Sequence, residues 1–95
     1  ALQQVYELHQ NYPNPFNPVT SIGYDMTEAA NVQVDVYSLL GQKVKTLVSD
    51  AHQPGFYAVQ WNGTNDLGHP VASGMYICRI NADQFNAVKK LILMK

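Results

Sequence analysis

The chain predicts an all-β domain, a two-layer sandwich of about seven antiparallel strands. Three observations lead there. Apolar and polar residues alternate with period two in one segment after another, and no segment has helical periodicity. Glycine, proline and asparagine interrupt those segments roughly every eight to twelve residues. Ninety-five residues with 46% apolar and 14% charged side chains can fill one modest core, and the length sets the limit at a single domain.

The elements follow in order. Residues 1–7 read as a linker from a preceding module. Gln10-Asn11-Tyr12-Pro13-Asn14-Pro15-Phe16-Asn17-Pro18 can form neither a helix nor a regular strand. Each proline fixes φ and removes a donor, and the residue before it is pushed toward extended backbone. Asparagine side chains can stand in for turn hydrogen bonds. An ordered crossing segment is expected, with Tyr12 and Phe16 as anchors that clamp it to the sandwich.

Residues 21–26 place Ile22, Tyr24 and Met26 on one side. Residues 31–37 place Val32, Val34 and Val36 on one face, with Gln33 and Asp35 on the other. Leu39-Leu40-Gly41 makes a tight connection with Gly41 at positive φ, and residues 42–48 return with Val44 inward. Pro54-Gly55 leads into residues 56–61, where Tyr57, Val59 and Trp61 share a face. Residues 62–72 form a loop. Residues 74–82 turn Arg79 to water and Tyr76, Cys78 and Ile80 inward. Residues 81–84 lead into a last strand over 85–94. A total of roughly seven strands is the number expected of an immunoglobulin-like sandwich.

Composition excludes several functions. A net charge of −1 with no clustered basic footprint speaks against nucleic acid as a partner. The pairs Lys43/Lys45 and Lys89/Lys90 read as solvated strand faces. Cys78 is the one cysteine, so neither an internal disulfide nor a cysteine zinc site can form, and it reads as a small buried hydrophobe. No apolar run is long enough for a transmembrane helix, and no signal peptide opens the chain. His9, His52 and His69 lack metal-helix spacing, and no Gly-x-Ser-x-Gly elbow marks a catalytic triad. Asn62, Asn65 and Asp66 offer oxygens to calcium, but one carboxylate is sparse for such a site; Asx turns, with Asp66 bonding backbone amides, explain the loop better. Asn62-Gly63-Thr64 matches a glycosylation sequon. Tyr6, Tyr37 and Phe85 are the rings left for the surface, too scattered for a sugar platform. The end of the chain has β-prone apolar residues flanked by lysines. It reads equally as an edge strand protected by charge or as a strand read by a receptor.

Several motifs together resemble the type A C-terminal sorting domains of type IX (Por) secretion. Leu8-His9-Gln10-Asn11-Tyr12-Pro13-Asn14-Pro15-Phe16-Asn17-Pro18-Val19-Thr20 resembles the opening motif of that family. Val34-Asp35-Val36-Tyr37-Ser38-Leu39-Leu40-Gly41-Gln42-Lys43-Val44 resembles its strand–turn–strand motif. Pro54-Gly55, Trp61-Asn62-Gly63, Asp66-Leu67-Gly68 and Val71-Ala72-Ser73-Gly74-Met75-Tyr76 follow in the family order. Val88-Lys89-Lys90-Leu91-Ile92-Leu93-Met94-Lys95 resembles its ending. Met26-Thr27 and Ser38 depart from the usual pattern. The family is related in fold to the immunoglobulin-like domain of flagellar hook-capping proteins.

The resemblance implies a non-catalytic address label over residues 8–95, without cofactor or metal, at the C-terminus of a secreted cargo domain. The outer-membrane translocon would recognise it after passage to the periplasm. A surface peptidase with sortase-like activity would remove it at a junction in or before residues 1–8 and attach the cargo to surface lipopolysaccharide. Any export signal would lie upstream of these residues. Structural motif positions on this match are Asn11, Tyr12, Pro13, Asn14, Pro15, Phe16, Asn17, Pro18, Gly41, Trp61, Gly63, Gly68, Gly74 and Tyr76. Recognition falls on Lys89, Lys90, Leu91, Ile92, Leu93, Met94 and Lys95. An open terminal strand would also offer a route to a weak homodimer. The alternative is a permanent structural or carbohydrate-binding module beside an extracellular enzyme.

Overall fold

Period-two alternation produces two antiparallel sheets with their apolar faces together. The computed structural model describes residues 7–83 and 85–94. One sheet is formed by β1 (Glu7–Leu8), β2 (Thr20–Met26) and β5 (Gly55–Trp61), in the order β1-β2-β5. The other contains β3 (Ala30–Ser38), β4 (Lys43–His52), β6 (Gly74–Ala82) and β7 (Phe85–Leu93), in the order β4-β3-β6-β7. All strand pairs are antiparallel. The described residues contain no helix, and the architecture is the immunoglobulin-like sandwich expected from the alternation.

The inward rows match the sequence reading closely. Ile22, Tyr24 and Met26 of β2, Val32, Val34 and Val36 of β3, and Tyr76, Cys78 and Ile80 of β6 are all buried, and Leu91 and Leu93 of β7, to which the sequence assigned no inner face, join them. Trp61 lies at the centre of one end, with Phe16 at 5.6 Å and the edge of Tyr76 at 5.3 Å between ring centroids. The indole N–H donates to Thr64 O at 2.8 Å, which satisfies the one polar atom of the buried ring. Gly41 takes φ 87° in the β3–β4 turn, as its position required.

Four expectations are corrected. Glu7 is no linker: it pairs with Asp25 in β1, while residues 1–6 lie outside the described residues. Asp35 faces away from the core but is buried, because Gln33, Tyr37 and Lys43 close over it. The return strand is longer than expected and bulged. Its register with β3 skips Val44 and Leu47, and the bulges let both pack against the core. Tyr12 is not an anchor, since its side chain is 82% exposed; Phe16 alone is inserted. Gln84, expected in the last turn, lies outside the described residues.

The molecule is elongated, 46 × 23 × 20 Å, and the strands define its two ends. Ala30, His52, Ala82 and Gly55 mark one end; Ser38, Lys43, Gly74, Leu93 and Trp61 mark the other.

Candidate functional site

The terminal strand β7 is an edge strand whose neighbour in the sheet is β6. Backbone groups of alternate residues on an edge strand point away from the sheet and call for partners. Here the proline-rich segment supplies them over half of β7. Gln10 Nε2 donates to Lys90 O at 2.8 Å. Ile92 N–H donates to Asn14 Oδ1 at 2.9 Å. Phe16 N–H donates to Ile92 O at 2.9 Å, and Met94 N–H donates to Phe16 O at 2.8 Å. Residues 10–16 therefore form a strap along the outer edge of β7, bridged in parallel to Leu93 through Phe16.

The composition of the strap explains this arrangement. Proline has no N–H, so a segment with three prolines in six positions, from Pro13 to Pro18, cannot supply a full strand ladder. The amide side chain of Asn14 and the backbone of Phe16 provide the missing groups. Asn11 is buried and holds the strap internally: Nδ2 donates to Thr20 Oγ1 at 2.9 Å and to Pro13 O at 3.1 Å, while Thr20 Oγ1 donates to Pro13 O at 2.8 Å. Gly63 approaches from the other side; a Cβ there would lie 3.4 Å from both Leu93 methyls, and its φ is 74°.

The sequence-predicted recognition residues thus divide into two sets. Leu91 and Leu93 are core. Lys90 and Met94 are exposed, Ile92 and Lys89 are half-buried, and Lys95 lies outside the described residues. The expected sticky edge is covered from the Lys90 carbonyl onward, and the strap makes no backbone hydrogen bond to Asn86 or Val88. Edge protection by the strap was missed in the sequence, although an asparagine between two prolines was its signal.

The opposite edge of the same sheet is protected in a similar way. Asp66 N–H donates to Val44 O at 3.0 Å, and Asp66 Oδ1 accepts Thr46 N–H at 3.1 Å, so one residue imitates a strand partner for β4. Asn65 Oδ1 accepts Leu67 N–H and His69 N–H, each at 3.0 Å, and Asn62 Oδ1 accepts the Thr64 hydroxyl at 2.6 Å. The oxygens weighed for calcium therefore close Asx turns and cap an edge. Tyr76 is anchored by its hydroxyl on Ala72 O, and burial raises its pKa.

Other candidate groups are held by the fold. Cys78 is buried, and its thiol is pushed up to about 12 by burial and then by the charge of Asp35. Such a thiol is a poor nucleophile. Tyr37, weighed as a sugar platform, is half-buried, with its hydroxyl directed at Asp35 Oδ2 at 3.4 Å. Asp35 Oδ2 also accepts Gln33 Nε2 at 2.9 Å, and Asp35 Oδ1 faces Lys43 Nζ at 3.8 Å without a hydrogen bond.

His9 Nε2 lies 2.7 Å from Asp25 Oδ2, and its Nδ1 lies 3.9 Å from Glu7 Oε2. The two carboxylates flank the ring on its two nitrogens, and one ligand atom from each of Glu7, His9 and Asp25 lies within 4.8 Å of the others, an acidic cluster at the surface end of β1 and β2. His52 stacks on Tyr57 at 4.1 Å and bonds Tyr24 OH at 2.7 Å.

Residues 16–85 match the family of FlgD Ig-like domains, and the chain belongs to that family. Two solved structures share its fold. Dimeric latent PorU from Porphyromonas gingivalis is 19% identical with a TM-score of 0.71, and the match covers 99% of this chain and 10% of that one. PorZ, described as an essential bacterial surface component of the type-IX secretion system of the same organism, is 19% identical with a TM-score of 0.62, over 95% of this chain and 11% of that one. The chain spans about a tenth of the length of either protein. No curated protein matches it.

Proposed function

We propose that this domain is a non-catalytic sorting label that directs a secreted cargo through the type IX outer-membrane translocon to the cell surface. Its fold is shared with PorU and with PorZ, a surface component of that system, and its motifs follow the sorting pattern from Leu8 to the end of the chain. The observation that carries the reading is the strap on β7. With the backbone edge of residues 90–94 occupied, the translocon reads side chains, and Lys90, Ile92 and Met94 lie on the covered strand with their tips toward solvent to different extents. A peptidase with sortase-like activity and the upstream cargo domain complete the set of partners, and the destination is the secreted or surface-attached fraction.

The test is a fusion of the domain to a periplasm-exported fluorescent reporter in a bacterium with a working type IX system. Deleting the last strand would remove Leu91 and Leu93 from the core, so the informative variant is Lys90→Glu/Met94→Ser, which alters exposed side chains alone. Reporter at the surface with the parent, and in the periplasm with this folded variant, supports the reading. Retention of the folded parent in the periplasm overturns it.

A further inference from the structure

Among the described residues, six of the nine exposed large apolar side chains lie at one end of the sandwich: Val19, Leu39, Leu40, Leu67, Met75 and Met94. Leu39 and Leu40 form the tip of the β3–β4 turn, 64% and 88% exposed. Leu67, 79% exposed, follows Asp66, whose bonds to Val44 and Thr46 hold its loop beside the start of β4. Exposed leucines at two neighbouring turn tips are a costly arrangement for a surface that meets only water.

Charge is segregated along the same axis. Lys43 and Lys45 stand directly behind the leucine tip, Lys90 and Lys89 of β7 lie level with them across the sheet, and Asp66 also lies at this end, beside Val44. Glu7, Asp25, Glu28, Asp50 and Asp83 gather at the opposite end, around the start of β3 and the ends of β2 and β6. A molecule polarised in this way turns its leucine end toward a negative surface.

We propose that this end docks onto an anionic lipid surface, with Leu39, Leu40 and Leu67 entering the interfacial layer and Lys43 and Lys45 meeting headgroup phosphates. The shape selects a fluid partner. Leu40 and Leu67 project from turns, while Leu39 borders a shallow groove with Tyr37, Ile77 and Val88. A lipid interface closes around the projecting side chains, whereas a protein would have to present a matched hole. Insertion of a few aliphatic side chains supported by lysines gives weak, reversible binding that depends on lipid charge. Such docking involves no translocon and is open to a sorting domain and to a permanent module alike.

The test is sedimentation of the 95-residue chain with phosphatidylcholine vesicles and with vesicles containing about a quarter phosphatidylglycerol. Pelleting with the anionic vesicles is expected, reduced several-fold by about 0.5 M salt. Leu39→Ser/Leu40→Ser lowers it about tenfold, and Leu67→Ser lowers it less. Phe56→Ser, at the acidic end, leaves it unchanged. Thermal melts verify folding, since all four side chains are exposed. No pelleting with anionic vesicles, equal pelleting with both vesicle types, or wild-type pelleting by the folded double variant overturns the proposal. A dimer broken by the double variant, without pelleting, would assign the end to a second copy and also overturn it.

Discussion

The side-chain oxygen of Asn14 accepts the backbone N–H of Ile92 at 2.9 Å, across 78 residues of chain. One asparagine thereby occupies the place of a neighbouring strand on the edge of β7. Asp66 does the same for Thr46 on the far edge of the sheet. Edge strands are templates for unwanted pairing, and here part of each edge of the four-stranded sheet is covered by a turn-rich motif, β7 from Lys90 onward and β4 at Val44 and Thr46.

Replacing Asn14 with Ala is expected to cost about 1 kcal/mol, the net worth of one hydrogen bond. It also uncovers Ile92 N–H, so light scattering should show stronger concentration-dependent association than for the parent. Asn14→Asp keeps the accepting oxygen and should behave close to the parent in both measurements.

Phe16 and Tyr12 separate sharply. Phe16 is 1% exposed against Trp61, and Phe16→Ala should cost about 3–5 kcal/mol in denaturant unfolding. Tyr12→Ala should stay within about 0.5 kcal/mol, because the ring is in water. Equal losses would show that the strap docks in another way.

Asp66 is expected to act as an oxygen acceptor, not as a metal ligand. Asp66→Ala should cost about 1 kcal/mol, Asp66→Asn should be close to neutral, and calcium or a chelator should leave the melting temperature of the parent unchanged. A calcium-dependent rise would overturn the edge-cap role.

Alkaline pH should destabilise the fold in two steps. Cys78 and Tyr24 are both pushed up to about 12, from ordinary values of 9.0 and 10.0; burial is the main cause for each, followed by the charge of Asp35 for Cys78 and by Tyr57 for Tyr24. Both protons are held more tightly in the folded state than in the unfolded chain. Their contribution is complete below about pH 9 and is lost as pH rises toward 12. In Cys78→Ala the onset should move from about pH 9 to about pH 10. The parent thiol should resist a thiol reagent until the protein unfolds.

Much of the fold was legible because period-two alternation is a local property. Val32, Val34 and Val36 announced an inner face, and Tyr76, Cys78 and Ile80 another, without any knowledge of their partners. Asp35 defeated the same logic. Its direction followed from the alternation, but its burial depends on Gln33, Tyr37 and Lys43 closing over it, and Lys43 comes from the next strand. Tyr12 and Phe16 looked alike in a proline-rich segment. Only the path of that segment along β7 turned one ring into the core and the other into water.

The amino-acid sequence alone determined six of the seven strands, the inner faces of β2, β3 and β6, the tight turn at Gly41 and the irregular backbone of the proline segment, since each is set by side-chain period or by backbone sterics. The tertiary structure decided which backbone groups meet across 78 residues, and so converted Asn14 and Asp66 from turn residues into edge caps. It also gathered leucines and lysines at one end and five of the seven carboxylates at the other, with Asp66 and Asp35 the exceptions. Sheet order and strand direction determine those placements, and no local pattern encodes either.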